Sequence, residues 1–349
     1  MKLLAVTRLG DMKKNIKGEI GIVDAPMPKP GPADVLIKVA YCAICGSDPH
    51  LINGAFPIPI PFGLGHEASG TVVELGEKAV KKGLKVGDRV AGNFVKFCGS
   101  CYYCRNGQEQ FCPYMNETVV PGMAEYMVWD ESQVYKIPDS VSLRKACLTE
   151  PVAIALRAVE RADIRVGAKV AVSGAGGMGL IISQLAKASG ASTVTVIETV
   201  GEKRKTAKEL GADYVINPLE QNIVTEAMRV TDGIGFDSVI EASGAPAAVE
   251  PALNSLAKGG TIVCFSMYPP DYTLPLNLFQ QTYLKEVTIR GFYMSPYSFP
   301  RAIALLQKLD LDKVIQAEFP LESGADAFAA HATGKYGKVI INCLEQGGR

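Results

Sequence analysis

The feature that most constrains the fold is a regular alternation of short apolar runs and helical segments between about residues 155 and 290. The stretches LIISQLAKAS and GEKRKTAKELG have the composition of helices. Between such stretches lie runs with the length and β-branched content of buried strands, namely KVAVSG, STVTVIE, DYVIN, FDSVIEA and GTIVCF. Strands that alternate with helices form a parallel sheet with helices on both faces. The segment therefore predicts a doubly wound α/β domain.

The first 150 or so residues have a different texture, rich in glycine and proline and poor in long helical periods. Their short β-branched runs, VLIKVAYCAI, ASGTVVELG, GDRVAGNF and AEYMVW, predict an irregular and mostly antiparallel β domain. The tail contains one helix, FPRAIALLQKL, and a final strand, GKVIINCL, which could return to the first domain. We therefore divide the 349 residues into a β-rich domain (1–154), an α/β domain (155–290) and a returning segment (291–349).

Charge and hydropathy exclude several classes of function. Lys plus Arg equals Asp plus Glu at 36 each, so no basic excess indicates nucleic acid or anionic lipid as a partner. No apolar run approaches the ~18–20 residues that span a bilayer. The N-terminal stretch MKLLAVTRLGDMKKN is interrupted by Arg8 and Asp11 too soon for a secretory signal. We expect a cytoplasmic protein with reduced thiols and a small-molecule substrate.

Four of the nine cysteines lie in one short stretch, CGSCYYCRNGQEQFC, at residues 98–112. The spacing C-x2-C-x2-C-x7-C, formed by Cys98, Cys101, Cys104 and Cys112, can close a tetrahedral zinc shell without an open position. We therefore predict a structural zinc lobe at residues 95–115. An iron–sulfur cluster is the alternative, but the last gap is too long for a ferredoxin run. A nucleic-acid zinc ribbon is disfavoured because Arg105 is the one basic residue of the stretch.

A second metal site can be assembled from separate stretches. CAICGSDPH and GLGHEASG contain two of the three histidines of the chain. Cys45 and His66 are a thiolate and an imidazole ligand, and Glu67 and Glu150 are carboxylates that could complete the shell. Three protein ligands plus a water describe a catalytic zinc. Two of these residues also have an ordinary structural interpretation: His66 as a hydrogen-bonded loop residue, and Glu150 before a proline as a helix cap.

The run VAVSGAGGMGLIISQLA has the glycine spacing of a dinucleotide-binding loop between a strand and a helix. The predicted cofactor contacts in this loop are Gly174, Gly176, Gly177, Met178 and Gly179. Glu198 ends the next strand, nineteen residues beyond Gly179. Its carboxylate would accept the ribose hydroxyls of NAD and repel the 2′-phosphate of NADP, although Arg204 could pair with such a phosphate. The alternative for Glu198 is an exposed charge after a strand.

These features, in this order, resemble the zinc-dependent medium-chain dehydrogenase family of the alcohol dehydrogenase superfamily. The resemblance runs almost from end to end through CGSDPH, GHEASG, VGDRVAG, the four-cysteine lobe, GMAEYM, TEPVAIALRAV, SGAGGMG, KELGADYVIN, FDSVIEASG and KGGTIV. It implies a GroES-like catalytic domain interrupted by a Rossmann domain, with the active site in the cleft between them. It also implies NAD as the cofactor and two zinc ions per chain, one catalytic and one structural.

The resemblance assigns roles to individual residues. Cys45 and His66 match zinc ligands, and Glu67 matches a carboxylate that ligates zinc or stands just behind it. Glu150 matches the position where sorbitol-type members carry glutamate and liver-type alcohol dehydrogenases carry a third cysteine. Asp48 matches the acid that orients the zinc-bound imidazole.

The expected reaction is hydride transfer between a secondary alcohol (a polyol, diol or sugar alcohol) and NAD. By the resemblance, Ser47 would take the alcohol proton and His50 would pass it to solvent. Sorbitol dehydrogenases typically carry an Arg-Tyr pair for polyol hydroxyls, and here the corresponding stretch, IRGFYMSPY, offers Met294 and Ser295. The histidine common in the helix after Glu150 is replaced by Arg157.

Two other functions stay open. An amino-alcohol or threonine-type dehydrogenase would use the same zinc and cofactor residues. A non-catalytic dinucleotide-binding relative would be free to lose Cys45, His66 or Ser47, and none of these is lost. The apolar segment GTIVCFSMYPPDYTLPLNLF, followed by the edge strand VTIRGF, predicts a homodimer or homotetramer.

Overall fold

A computed structural model of the chain describes residues 1–55, 57–79, 83–117 and 121–344. Short strands dominate the first part of the chain, where the helices α1 (Asp48–Ile52), α2 (Tyr102–Arg105) and α3 (Leu143–Ala146) have at most five residues. The strands are β1 (Lys2–Arg8), β2 (Glu19–Asp24), β3 (Asp34–Ala43), β4 (Phe62–Gly63), β5 (Glu67–Leu75), β6 (Arg89–Gly92), β7 (Val95–Lys96), β8 (Asn116–Glu117), β9 (Tyr126–Asp130) and β10 (Val134–Lys136).

A parallel six-stranded sheet follows helix α4 (Thr149–Arg161). Its strands are β11 (Lys169–Ser173), β12 (Thr193–Ile197), β13 (Tyr214–Ile216), β14 (Phe236–Glu241), β15 (Leu256–Cys264) and β16 (Thr288–Arg290). The intervening helices are α5 (Gly177–Ala188), α6 (Gly201–Glu209), α7 (Ile223–Val230) and α8 (Pro246–Asn254). The strand order is β13-β12-β11-β14-β15-β16, so the winding direction reverses between β11 and β14. Ligands of such sheets bind outside the carboxyl ends of the strands at this reversal.

The last part of the chain adds strands to the N-terminal sheet. Helix α9 (Phe299–Leu305), strand β17 (Ile315–Pro320), helix α10 (Gly324–Ala332) and strand β18 (Lys338–Asn342) follow one another. Strand β18 pairs antiparallel with β3 and parallel with β17. The resulting seven-stranded sheet has the order β10-β6-β5-β3-β18-β17, with β9 also paired to β3. The predicted fold class, a GroES-like β domain with a Rossmann parallel sheet, is confirmed.

One apolar core joins the two sheets. Val172 of β11, Val152 of α4 and Ile340 of β18 belong to the same buried cluster. A second cluster fills the β-rich part around Trp129, which is 1% exposed. Burying a large apolar side chain of this kind contributes about 1.5–3 kcal/mol to folding. The shared core fixes α4, and therefore Glu150 in its first turn, between the two sheets.

The helices of the described residues are short. None of them is long and apolar enough to cross a membrane.

Candidate metal centres and dinucleotide site

The four clustered cysteines converge in the loop between β7 and β8. The sulfur atoms of Cys98, Cys101, Cys104 and Cys112 all lie within 4.8 Å of one another. Backbone N–H groups of Ser100 and Cys101 donate to the Cys98 sulfur at 3.5 and 3.4 Å, and these bonds lower the pKa of Cys98 to about 6. Burial and the neighbouring thiols raise the pKa of Cys104 to about 12. Four neighbouring thiolates would repel one another, and a divalent cation bound between them would offset this repulsion. A shell of four sulfur ligands is typical of zinc.

A second group of donor atoms forms where α1 and β5 begin. Cys45 precedes α1, His66 precedes β5, and Glu67 is the first residue of β5. Their ligand atoms lie within 4.8 Å of one another, and both His66 and Glu67 are buried. Two segments far apart in the sequence therefore bring a sulfur, a nitrogen and an oxygen donor to one point, which is a donor set that zinc accepts.

Asp48 supports the imidazole of His66 from behind. The aspartate is fully buried, and one carboxylate oxygen accepts the Cys45 backbone N–H at 2.9 Å. Its other oxygen lies 3.6 Å from His66 Nδ1 and has no hydrogen-bond partner among the described residues. Burial opposes the charged imidazolium, but Cys45 and Asp48 more than offset this, so the pKa of His66 is raised. A metal on Nε2 would fix an Nδ1–H facing Asp48, as metal-bound histidines require.

Lys338 is a residue of this site that the sequence analysis missed. Its ammonium group lies 2.5 Å from both carboxylate oxygens of Glu67 and donates to the Ile44 carbonyl at 3.2 Å. Both partners of the ion pair are buried. The sequence did contain a signal for this residue, since Lys338 opens the apolar run KVIIN. An ammonium group in a buried strand needs a partner, because an unpaired charge is costly to bury.

Glu150 lies close to this group without being part of it. It is buried in the first turn of α4, and its carboxylate is not among the donor atoms that lie within 4.8 Å of one another in the described residues. Burial, followed by the charge of Glu67, raises the pKa of Glu150 to about 7. The nearby Cys147 thiol donates to the Arg144 carbonyl at 3.1 Å.

Ser47 and His50 lie beside the metal ligands on the same short helix. Ser47 is the N-cap residue of α1, but its side chain makes no capping hydrogen bond. The Ser47 carbonyl instead accepts the backbone N–H of His50 at 3.0 Å. Both side chains are partly exposed.

The glycine loop lies at the carboxyl end of β11, next to the point where the sheet reverses. Gly174 has a φ of +97°, and a Cβ atom there would lie 2.9 Å from Ser243 Cα. At Gly179 a Cβ atom would lie 1.9 Å from the Gly174 carbonyl oxygen. By contrast, a Cβ atom at Gly176 would meet nothing within 4 Å, so this residue faces open space at the N-terminus of α5. This arrangement lets a pyrophosphate approach the backbone.

Glu198 is bound directly to this loop. One oxygen accepts the Ala175 backbone N–H at 2.8 Å, and the other accepts the Val200 N–H at 2.9 Å. The Arg204 guanidinium donates to the backbone carbonyls of Glu198 and Thr199 at 2.8 and 2.6 Å. In this structure Arg204 therefore holds the turn after β12. Ser173, Gly174, Gly176, Glu198, Lys203, Ala242 and Ser243 are among the residues that line a cleft of about 600 Å³ at this position.

The glycine loop and the group around Cys45 are in direct contact through the start of β18. The Gly177 backbone N–H donates to the Gly337 carbonyl at 3.0 Å. A Cβ atom at Gly177 would lie 2.6 Å from Lys338 Cγ. Lys338 therefore packs against the loop with its methylene groups while its ammonium group pairs with Glu67.

Arg157, one of the residues that depart from the sorbitol-type pattern, makes structural contacts in this fold. Arg157 donates to the carbonyls of Tyr293 and Met294 at 2.8 and 3.2 Å, and its guanidinium lies 5.8 Å from the Phe292 ring centre. Ser295 is buried. Arg157 thus fastens α4 to the segment that connects the two sheets.

Two family models match the chain. Residues 31–139 match the alcohol dehydrogenase GroES-like domain, and residues 177–308 match the zinc-binding dehydrogenase domain. L-threonine 3-dehydrogenase of Pyrococcus horikoshii is 37% identical over 336 residues, covering 92% of this chain and 94% of the relative. Sorbitol dehydrogenase of Gallus gallus is 32% identical over 338 residues, covering 93% of this chain and 94% of the relative.

Solved structures agree with these relatives. A protein described as a zinc-binding dehydrogenase from Clostridium scindens superimposes with a TM-score of 0.93 at 38% identity, over 98% of this chain and 99% of the other. Another from Sinorhizobium meliloti, bound to NADP, has a TM-score of 0.89 at 31% identity, over 97% and 99%. The chain therefore belongs to the zinc-dependent medium-chain alcohol dehydrogenase family.

Proposed function

We propose that this protein is an NAD-dependent zinc dehydrogenase that transfers a hydride between a secondary alcohol and the nicotinamide ring. The observation that carries the proposal is the convergence of Cys45, His66 and Glu67 on one point within 4.8 Å. The dinucleotide loop touches the same region through Gly177 and Lys338. A metal centre beside a dinucleotide site is the arrangement that such a transfer needs.

We propose that Cys45, His66 and a glutamate hold the catalytic zinc, which would polarise the alcohol oxygen when bound. Glu150 is our choice for the glutamate, because Lys338 already occupies both oxygens of Glu67. Glu67 is the alternative third ligand, and it would have to give up its ion pair with Lys338 to hold the metal. Ser47 would accept the alcohol proton, and the partly exposed His50 would release it to solvent.

We propose NAD as the cofactor, with Glu198 as the residue that selects it. Its carboxylate is held by the Ala175 and Val200 backbone N–H groups and lines the cleft beside the glycine loop. It would accept ribose hydroxyls and repel a 2′-phosphate. Arg204 is engaged by two backbone carbonyls, which reduces its use as a phosphate ligand.

Two classes of alcohol are candidate substrates for the site. Polyols and diols are favoured by Glu150, because by resemblance sorbitol-type members carry a glutamate at this position. Amino alcohols are favoured by the relatives, since threonine dehydrogenases reach 37% identity against 32% for the sorbitol dehydrogenase of Gallus gallus. Met294 and Ser295 in place of an Arg-Tyr pair argue against strict sorbitol specificity. A dinucleotide-binding relative without activity is the third candidate.

A substrate panel with a matched pair of histidine variants tests the proposal. NAD⁺ reduction would be followed by nicotinamide absorbance with polyols, diols, L-threonine, other amino alcohols and sugar phosphates. We expect activity with one of these classes, and we expect His66→Gln to abolish it while NADH binding remains. His331→Gln is the control, because this half-buried histidine lies on α10 outside the donor group. A protein that binds NADH and zinc but oxidises no member of the panel would support the non-catalytic alternative.

We also propose that the protein is a cytoplasmic homodimer or homotetramer. A reducing compartment would keep the four clustered thiols available for zinc. The edge strand β16 and the exposed apolar residues near it, including Leu278, Phe279 and Ile289, support self-association.

A further inference from the structure

Beyond the glycine loop, a buried carboxylate at the carboxyl edge of the parallel sheet accepts hydrogen bonds from several residues. Glu241 ends β14 and is fully buried. One of its oxygens accepts the Ser243 backbone N–H at 2.9 Å and the Ser173 hydroxyl at 3.3 Å. The other oxygen accepts the Tyr268 hydroxyl. Glu241 therefore ties together the chain at the carboxyl ends of β11, β14 and β15.

The segment after β15 is held to Glu241 by its backbone as well. The Glu241 carbonyl accepts the Phe265 N–H at 3.1 Å and the Ser266 hydroxyl at 3.4 Å. Burial and the Glu241 carboxylate raise the pKa of Tyr268, so its phenol remains a donor at every physiological pH. The neighbouring Tyr272 makes a different bond, from its hydroxyl to the Pro246 carbonyl at 3.2 Å.

This network lies on the side of the glycine loop opposite Glu198, where the second nucleoside of a dinucleotide would bind. Along the carboxyl edge of the sheet the order is Glu198 after β12, Gly174 after β11, Glu241 at the end of β14 and Tyr268 after β15. A dinucleotide with one ribose at Glu198 and its pyrophosphate at the start of α5 has to place its other nucleoside over β14 and β15. Ser243, which Glu241 holds, lines the same cleft and packs on Gly174.

We propose that Glu241 and Tyr268 are positioning residues for the nicotinamide half of the cofactor. The inference rests on the proposed NAD-dependent function. The two side chains fix residues 242–243 and 265–268 as a preformed wall, against which the nicotinamide ring packs. A wall that is already ordered loses little entropy when the cofactor binds, and it keeps the ring aligned for hydride transfer.

Tyr268→Phe tests this role, because it removes the hydroxyl and keeps the ring. The affinities for NADH and for ADP-ribose, which keeps both riboses and the pyrophosphate but lacks the nicotinamide ring, would be measured by calorimetry. We expect NADH binding to weaken about tenfold, because the cofactor would then have to order the wall as it binds, and ADP-ribose binding to change less than twofold. We also expect kcat to fall while KM for the alcohol is unchanged. Tyr272→Phe is the matched control and should leave both affinities unchanged.

Equal weakening of NADH and ADP-ribose in Tyr268→Phe, or no change in either, would overturn the positioning role. Glu241→Gln provides a second variant, since its single carboxamide oxygen cannot accept both the Tyr268 hydroxyl and the Ser243 N–H, which bind different oxygens of the carboxylate. It should weaken NADH binding at least as much as Tyr268→Phe, and unchanged NADH affinity would count against the proposal. An unaltered protein that binds neither NADH nor ADP-ribose would refute the proposed function itself, which separates the two failures.

Discussion

At the scale of single residues, the most informative position is the third protein ligand of the proposed catalytic zinc. We expect Glu150→Ala to abolish activity while the fold and NADH binding remain, since α4 is held by its apolar face rather than by this side chain. Cys147→Ala, three residues away, should be nearly silent because that thiol bonds to a carbonyl of its own turn. Activity assays, zinc content and circular dichroism would be compared. Full activity in Glu150→Ala, or a well-folded but inactive Cys147→Ala, would be decisive against this ligand.

The buried ion pair between Lys338 and Glu67 should contribute to the free energy of unfolding. Lys338→Met should leave a buried carboxylate without its partner and lower the free energy of unfolding by roughly 3–5 kcal/mol. Urea unfolding of the metal-free protein is the measurement, because zinc would partly replace the lost cation. Lys335→Met, at an exposed lysine three residues earlier, is the control. Similar unfolding midpoints for the two variants would show that the pair contributes little.

The proposed preference for NAD rests on one carboxylate, Glu198, which is bound to the glycine loop. We expect the unaltered protein to prefer NAD, and we expect Glu198→Ala to reduce the ratio of kcat/KM for NAD over NADP by about one order of magnitude or more. The reason is loss of the ribose acceptor together with loss of repulsion toward a 2′-phosphate. Glu202→Ala, an exposed glutamate on α6, is the control. An unaltered protein that already uses NADP better would show that our interpretation of Glu198 is wrong.

At the scale of elements, the four-cysteine lobe is a loop with little core of its own. It contacts the segment between the two sheets, where Phe111 stacks on Tyr293 with ring centres 6.4 Å apart. The Glu109 carboxylate also accepts the Tyr297 backbone N–H at 3.3 Å. Loss of metal from the lobe should therefore loosen this connection as well as the lobe itself.

Cys101→Ser tests the lobe. We expect one zinc fewer per chain and a lower melting temperature, because three thiolates and a hydroxyl bind zinc less tightly than four thiolates. Elemental analysis and thermal unfolding would be used. Ser100→Ala changes the adjacent residue and keeps all four thiols, so its zinc content should be unaltered. Unchanged zinc content in Cys101→Ser would show that Cys101 is not a zinc ligand.

At the scale of the whole molecule, the parallel sheet ends in a short strand that pairs on one side only among the described residues. Strand β16 is at the edge of the sheet, and its central residue, Ile289, is 41% exposed. Ile289→Lys should shift the protein toward a monomer in size-exclusion chromatography with light scattering, because a buried ammonium group would oppose pairing at this edge. Val166→Lys, at a residue that is 90% exposed on a loop before β11, should leave the mass unchanged. A monomeric unaltered protein would refute self-association.

Local patterns in the sequence determined much of this molecule. The alternation of runs such as KVAVSG and STVTVIE with helices predicted the parallel sheet, because buried parallel strands need continuous apolar runs. The cysteine spacing and the glycine loop are also local, so their chemistry could be inferred before any distance was known. The strands β1 and β2 were not predicted, since their sequences KLLAVTR and EIGIVD are short and become strands through pairing with each other.

Tertiary structure alone decided what meets at the proposed metal site. Cys45, His66 and Lys338 are spread over almost three hundred positions, and local sequence patterns do not place a lysine of the last strand on Glu67. The antiparallel pairing of β18 with β3 creates that contact, because it brings the start of the last strand beside the end of the strand that leads to Cys45. The network around Glu241 arises in the same way, from strands that are neighbours in the sheet but distant in the chain. Long-range pairing depends on how whole faces are buried, so a sequence pattern shows which residues carry the chemistry, and packing determines which of them come together.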